Sequence, residues 1–303
     1  MKRNIVLAVL LVALLFASCK NEDITMQRKV SFTVNPSEVI SGFTYEVDEG
    51  ELESFNSGYK LQIHLLVYDD MGYLTASDTR YLSNYQEIMN SSLTLWDGEY
   101  TAVAITDVVK YDGGVTSNYW NITETDRLSS LKVSDAGNLG GKNKILGISN
   151  YGFKVGEGSV DHTIRVKPAG ALIVVKSSNI HYYNTVLRYQ LGMNKNSDHC
   201  TFNGDGSPVV AVENSGENYE WHSGYFDPQD FDSSNECHYY HFVLPLGRTA
   251  FQWLGKTEDN IWRYGGDKMS ANIGLGQEYL VRFDLGSDIK AQMELVNGEK
   301  ATE

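Results

Sequence analysis

The chain has 303 residues, of which 42% are hydrophobic and 21% charged, enough apolar material for a packed core and too much for wholesale disorder. Twenty-five Lys and Arg against 39 Asp and Glu leave a net charge of −14. Such a chain gains nothing from counterion release and carries no polybasic patch, which argues against nucleic acid as a partner and against a membrane surface held by basic residues. Five Pro beside 28 Gly, 19 Tyr and 11 Phe lean toward β-structure punctuated by glycine turns.

Lys2 and Arg3 precede an apolar run from Ile5 to Ala17. A run of this length suits the core of a signal peptide and is too short to span a bilayer. It ends in Leu15-Phe16-Ala17-Ser18-Cys19, which resembles a bacterial lipobox, with Phe16 where a leucine is usual. The resemblance implies a lipoprotein signal peptide over 1–18, cleavage before Cys19, and acyl chains such as palmitate on Cys19, with 19–26 as the acylated tether. The alternative is an ordinary secretory signal with an incidental cysteine. Cleavage removes two positive charges from the −14 total and leaves −16. Each buried lipid CH₂ contributes about 0.8 kcal/mol, so a multiply acylated Cys19 would hold an acidic, otherwise soluble protein on a membrane. Lys20-Asn21-Glu22-Asp23 follows, and is similar to the charged tract of surface-exported lipoproteins in Bacteroidetes.

Beyond residue 20 the dominant period is two. Val30, Phe32 and Val34 alternate with polar residues up to Asn35-Pro36, and 37–59 is a long, acid- and glycine-rich connection. Leu61, Ile63, Leu65 and Val67 form a second strand that turns at Asp69-Asp70-Met71-Gly72 into Tyr73-Leu74-Thr75, a hairpin. Ser92–Leu95 and Tyr100–Ile105 flank Asp97-Gly98 as further strands. Thr123–Leu131 is the one stretch of this half that suits a short helix. Val160, His162, Ile164 and Val166 alternate up to Pro168, and Ala171–Val175 is an apolar strand. Strands are also expected over 186–191, 208–212, 239–246, 251–254 and 279–285.

Short strands between turns in both halves predict an all-β chain of two β-sandwiches, over 27–150 and 151–303, divided within 148–159. An internal echo supports the division: Gly98-Glu99-Tyr100 and Gly276-Gln277-Glu278-Tyr279 each place glycine and then Glu-Tyr before a strand.

No Gly-x-Ser-x-Gly elbow, Walker loop, Gly-x-Gly-x-x-Gly or His-Glu-x-x-His is present, so no enzyme chemistry and no cofactor is expected. With Cys19 assigned to lipid, Cys200 and Cys237 either pair, which would contribute roughly 4 kcal/mol in the chain-entropy model, or remain two free thiols. His199, Cys200, Cys237, His238 and His241 include zinc-type ligands, but His238 and His241 fall on opposite sides of a strand. Asp227, Asp230, Asp232 and Glu236 are oxygen-rich without the spacing of a calcium loop. No metal site is therefore assigned. Tyr219, Trp221, Tyr225, Trp253 and Trp262 are aromatic candidates for stacking on sugar rings, and otherwise belong to the packing of the second sandwich.

Taken together, the lipobox and its following tract, the Leu61–Tyr68 strand before Asp-Asp-x-Gly, the Leu-Trp-Asp-Gly-Glu-Tyr turn into Thr101–Ile105, and Ile164-Arg165-Val166-Lys167-Pro168-Ala169-Gly170-Ala171 entering Leu172–Val175 resemble fimbrillin-type pilus proteins of Bacteroidetes. The resemblance implies two transthyretin-like, Greek-key sandwiches and subunits joined when a strand of one fills a groove in the next. In that family an arginine-specific protease removes the first strand of polymerising members, whereas anchor members keep strand and lipid. Here no Lys or Arg occurs between Val30 and Tyr59, and a cut after Arg28 would leave the first strand in place. The sequence thus favours an outer-membrane anchor or accessory subunit with fimbrial subunits as partners. A cell-surface glycan-binding lipoprotein is the alternative.

Overall fold

A computed structural model describes residues 26–43, 55, 57–137, 144–156, 160–178, 188–193, 199–210, 220–224, 237–244, 247–256, 262–264, 269–284 and 290–297. Its described elements are almost entirely strands. The N-terminal series is β1 (Gln27–Asn35), the one-turn helix α1 (Glu38–Ser41), β2 (Tyr59–Asp69), β3 (Leu74–Leu82), β4 (Met89–Trp96), β5 (Gly98–Tyr111), β6 (Val115–Asn118), β7 (Trp120–Thr123), β8 (Lys132–Asp135) and β9 (Gly147–Val155). There follow β10 (Asp161–Arg165), β11 (Lys167–Pro168), β12 (Ala171–Ser178), β13 (Arg188–Met193), β14 (His199–Phe202), β15 (Pro208–Val210) and β16 (Glu220–Gly224). The series ends with β17 (Cys237–Val243), β18 (Gly247–Lys256), β19 (Trp262–Tyr264), β20 (Met269–Ile273), β21 (Glu278–Asp284) and β22 (Lys290–Asn297).

β5 is the organising strand. It pairs with β2 on one side and β9 on the other, in a sheet ordered β11-β9-β5-β2-β3, with β6 also on β5. Residues 102–109 of β5 are all buried, as expected of a strand covered on both faces. One cover is the three-stranded sheet β10-β1-β4, whose Phe32 ring meets Phe153 of β9 edge-on at 5.3 Å. The other includes the sheet β15-β14-β8-β7, which buries Leu131, Val133, Cys200 and Phe202. At its hairpin tip Gly206 closes on Thr101 and Val103, and Asn150 donates from Nδ2 to the Asp205 carbonyl at 2.8 Å.

β10 and the β14–β15 hairpin both lie C-terminal to the 148–159 stretch, yet they pair with β1 and β8 respectively. The rest of the C-terminal chain forms two sheets, β17-β12-β21-β22 and β16-β13-β18-β19 with β20 on β18. β12 carries the apolar run seen in the sequence and lies between antiparallel β17 and parallel β21. Phe242 of β17 meets Phe43 and Trp120 edge-on at 6.5 and 6.2 Å, so the apolar core continues across the junction.

Thr123–Leu131 is not a helix. Leu128 N–H donates to the Gly72 carbonyl at 2.9 Å and the Asp126 carbonyl accepts from Leu74 N–H at 3.0 Å. Those bonds divert backbone groups that a helix would use internally, and they dock the segment on the β2–β3 turn. The C-terminal segment contributes β22, paired antiparallel with β21 at a sheet edge.

Candidate functional site

β1 lies in the middle of its sheet, antiparallel to β4 and parallel to β10. Its alternation turns Val30, Phe32 and Val34 inward, none more than 1% exposed, while the intervening residues remain partly accessible. Burying three such side chains stabilises the strand by roughly 1.5–3 kcal/mol each, beyond its two hydrogen-bonded ladders. Phe32 is the central plug. Around it lie Phe153 and His162 (5.6 Å), and Phe153 in turn stacks on Tyr100 at 5.6 Å and on Tyr151 at 6.3 Å.

Both ends of β1 are tied. At the N-terminal end Arg28 donates from Nε to Asp97 Oδ1 at 2.6 Å, and Asp97 N–H donates to the Met26 carbonyl at 2.9 Å. The Arg28 hydrogen bond holds the Asp97 carboxyl below its ordinary range. At the C-terminal end Val166 N–H donates to the Asn35 carbonyl at 2.9 Å, and Asn35 Oδ1 accepts from Ser37 N–H at 3.0 Å. His162 beside Phe32 is held below its ordinary pKa by burial, with Asp161 opposing, and its Nε2 has no partner among the described residues. A neutral imidazole in an aromatic cluster is the arrangement burial favours.

Outside β10 an open groove of about 1030 Å³ runs between β10, β9 and the Leu275–Gly276 turn. β9 is paired with β11 only at Gly147 and Ile148, and β10 is the outer strand of its sheet. Tyr151, Arg165 and Lys167 line this groove, with Glu38 in an ion pair to Arg165 at 3.4 Å. Main-chain edges beside an aromatic and two cations can accept a further strand.

No family model matches the chain, and no curated protein sequence does. Its architecture, however, recurs in solved structures. A candidate adhesin from Bacteroides ovatus covers 93% of this chain and 97% of its own at 13% identity and a TM-score of 0.51. A candidate cell adhesion protein from Bacteroides ovatus ATCC 8483 covers 91% and 100% at 11% identity and 0.50. A candidate adhesin from Bacteroides thetaiotaomicron VPI-5482 covers 91% and 99% at 12% identity and 0.50. The chain has the fold of these Bacteroides adhesins. Fold class therefore agrees with the all-β sandwich architecture expected from the sequence.

Within this fold the residues singled out in the sequence are dispersed. Cys200 is a free thiol in β14, 1% exposed, and burial pushes its pKa up to about 12. It does not form a bridge to Cys237, which starts β17 in a different sheet, opposite Ser177. His199 is buried beside Cys200, and among the described residues no group of three His, Cys, Asp or Glu is arranged around a metal position. Trp221, Trp253 and Trp262 fall on β16, β18 and β19 of one sheet, in register with Gly192, Leu191 and Lys256. Trp221 and Trp262 hold positions of one parity in that ladder and Trp253 the other. Tyr219, Tyr225 and the Asp227–Glu236 acidic stretch lie outside the described residues, as does Cys19.

The echoed Glu-Tyr pairs share a physical role. Tyr100 donates its hydroxyl to the Trp96 carbonyl at 2.9 Å, and Tyr279 donates to the Asn272 carbonyl at 2.7 Å, each clamping the turn that precedes its strand. Only Gly276 of the paired glycines has a positive φ, at 69°. What the sequence did not single out is the cluster around Phe32. His162 is legible only as a member of its own strand, Phe153 falls in the stretch expected to divide the two sandwiches and instead lies in β9, and no local signal joins either to residue 32.

Proposed function

We propose that this chain is a non-enzymatic outer-membrane lipoprotein, lipidated at Cys19 after removal of residues 1–18, that serves as a fimbrial anchor or accessory subunit in adhesion. Partner subunits join it by β-strand addition. The fold shared with Bacteroides proteins designated adhesins supports a role in adhesion at the cell surface. The observation that carries the anchor reading is the security of β1. A cut after Arg28 or Lys29 leaves Val30–Asn35 in its slot, and the next basic residue, Lys60, is already inside β2, with its Nζ donating to Ser83 Oγ at 3.0 Å. Arg80 lies inside β3 and pairs with Asp78 at 3.1 Å. A protease specific for basic residues thus has no site from which to release β1 without cutting a paired strand. With β1 retained, the partner strand adds at an open edge, and the groove between β9 and β10 is the best placed. Main-chain bonds would provide the joint, and Tyr151, Arg165 and Lys167 would read the incoming side chains.

The test is mass spectrometry of the protein recovered from intact outer membranes, with cross-linked partners identified. Acylated Cys19, an uncut 29–60 segment and fimbrial subunits cross-linked near Tyr151 are expected. An N-terminus beyond Asn35 would make the protein a polymerising subunit instead. An intact acylated protein with no fimbrial partner would overturn the anchor reading.

A further inference from the structure

One pole of the described residues carries large apolar side chains that are exposed. β5 begins there at Gly98, which pairs with Val155, while Tyr100 pairs with Asp69. The β2–β3 turn, the β4–β5 corner and the start of β1 therefore converge at this pole. Gln27 is in register with Trp96, and Leu74 N–H donates into the 124–131 segment beside the same turn. The Tyr100 phenol reports the crowding, because burial and then the Asp69, Asp70 and Asp97 carboxylates raise its pKa. Four large hydrophobic residues project from the pole: Met71 is 75% exposed, Trp96 53%, Met26 51% and Tyr73 42%. They sit on three separate segments, so no single loop accounts for them. Arg127 lies over the Tyr73 ring, 4.3 Å from its centroid, and donates to the Tyr73 hydroxyl.

This is also where the chain leads away to Cys19. Six residues lie between Cys19 and Met26, a tether that reaches about 25 Å at full extension. The other end of β5 faces the C-terminal sheets, through Trp120 against Phe242. A lipid on Cys19 therefore keeps the Met26 pole within about 25 Å of a bilayer. Trp and Tyr favour the boundary between headgroups and acyl chains, since each ring has an apolar body and a polar edge. Charge is not the attraction, because Asp69, Asp70 and Asp97 share the pole with Arg28 and Arg127.

We infer that the pole formed by Met26, Met71, Tyr73 and Trp96 is a lipid-contacting surface that seats the protein upright on the membrane bearing its anchor. The inference rests on lipidation at Cys19. Contact made by apolar and aromatic side chains fixes orientation: the pole faces the lipid, while the β9–β10 groove and the C-terminal sheets face outward.

The test uses the full mature acylated protein, with Cys19 modification confirmed by mass, reconstituted in phosphatidylcholine vesicles containing lipid brominated near the headgroup. Tryptophan emission should be quenched, the quenching should persist in high salt, and Trp96→Phe should abolish it while the protein still floats with the vesicles. Trp96→Phe keeps an aromatic ring at an exposed site and leaves the Trp96 carbonyl that accepts from Tyr100 in place, so the fold is preserved. An acylated protein that floats but shows the same quenching with and without Trp96 would overturn the lipid-contacting pole and leave lipidation standing. Protein recovered from intact outer membranes whose Cys19 proves unmodified by mass would overturn both. Shielding of Trp96 that depends on protein concentration and not on lipid would assign the pole to a second protein copy and overturn the proposal.

Discussion

Arg28 and Asp97 form a 2.6 Å ion pair that ties the start of the first strand to the corner between β4 and β5. Asp97 also accepts from Met26 N–H at 3.3 Å, so one carboxylate secures two consecutive parts of the incoming chain. The pair is partly solvated, and its effect is therefore local rather than global. Because the Asp97 carboxyl titrates below its ordinary value in the folded protein, its contribution is complete above the unfolded carboxylate pKa. It is lost as pH falls through the lower, folded one. Asp97→Asn is expected to speed hydrogen exchange at Gln27, Arg28 and Lys29 while leaving Phe32 and Val34 protected. Equal loosening along the whole strand would show that the pair governs β1 as a unit.

Phe32 is the residue on which the retention of β1 depends. Truncating a buried Phe leaves a cavity as well as losing transfer energy, a cost of about 3–5 kcal/mol. Phe32→Ala should therefore lower the urea midpoint substantially, while Thr33→Ala on the outer face, which loses only the 3.3 Å bond to Asn90, should cost about 1 kcal/mol. If β1 is the plug of a strand-accepting slot, the Phe32→Ala protein should also capture a synthetic peptide of residues 27–35. Capture is read by fluorescence anisotropy, with the intact protein as the non-binding control.

These relationships show what a sequence can and cannot carry. β1, β2, β5, β10 and β12 follow from alternation or from apolar runs, since their side chains face a core whatever their partners are. β7, β8, β14 and β19 are only three or four residues long, too short to show a period, and β8 gains its second partner only from distant β14, whereas β15 falls inside the strand expected over 208–212. Thr123–Leu131 has local helical character that bonds to Gly72 and Leu74 override. The aromatics most prominent in the sequence fall between Tyr219 and Trp262. The described aromatic cluster draws instead on Phe32, Tyr100, Tyr151 and Phe153, separated by up to 121 residues and joined only by sheet stacking.

His64 gives the fold a pH dependence of defined sign. It lies in β2 with Nδ1 3.1 Å from Thr79 Oγ1, and burial lowers its pKa to about 4. Above pH 6.5 the imidazole is neutral in both folded and unfolded chains. Between pH 6.5 and 4 the unfolded chain takes up a proton that the folded one refuses, so stability falls with pH. At about 1.4 kcal/mol per pKa unit the loss is roughly 2–3 kcal/mol. Asp107 works in the opposite direction, because burial keeps its pKa well above the ordinary value. The readout is therefore the difference between the natural chain and His64→Gln in urea unfolding at pH 7, 5.5 and 4.5. The variant should show the shallower decline, and parallel curves would place the pH dependence on other groups.

Two glycines separate close packing from open surface. A Cβ at Gly170 would stand 2.4 Å from the Val243 carbonyl oxygen and 2.7 Å from the Phe242 ring, and the first of these is backbone that cannot swing aside. The Gly170 carbonyl also accepts from Gly276 N–H at 2.8 Å, so a shift there disturbs the join between β12 and the turn before β21. Gly170→Ala is expected to cost about 1–3 kcal/mol through overpacking and to lower the melting temperature. Gly152 on β9 has nothing within 4 Å of the same position and no positive φ. Gly152→Ala restricts the unfolded chain without a clash, and should be stabilising by about 0.4–1 kcal/mol. Thermal unfolding of the two variants side by side tests both. If Gly170→Ala were tolerated, the contact between Gly170 and Val243 could not be as close as described. If Gly152→Ala were destabilising, the sheet face at Gly152 would be covered rather than open.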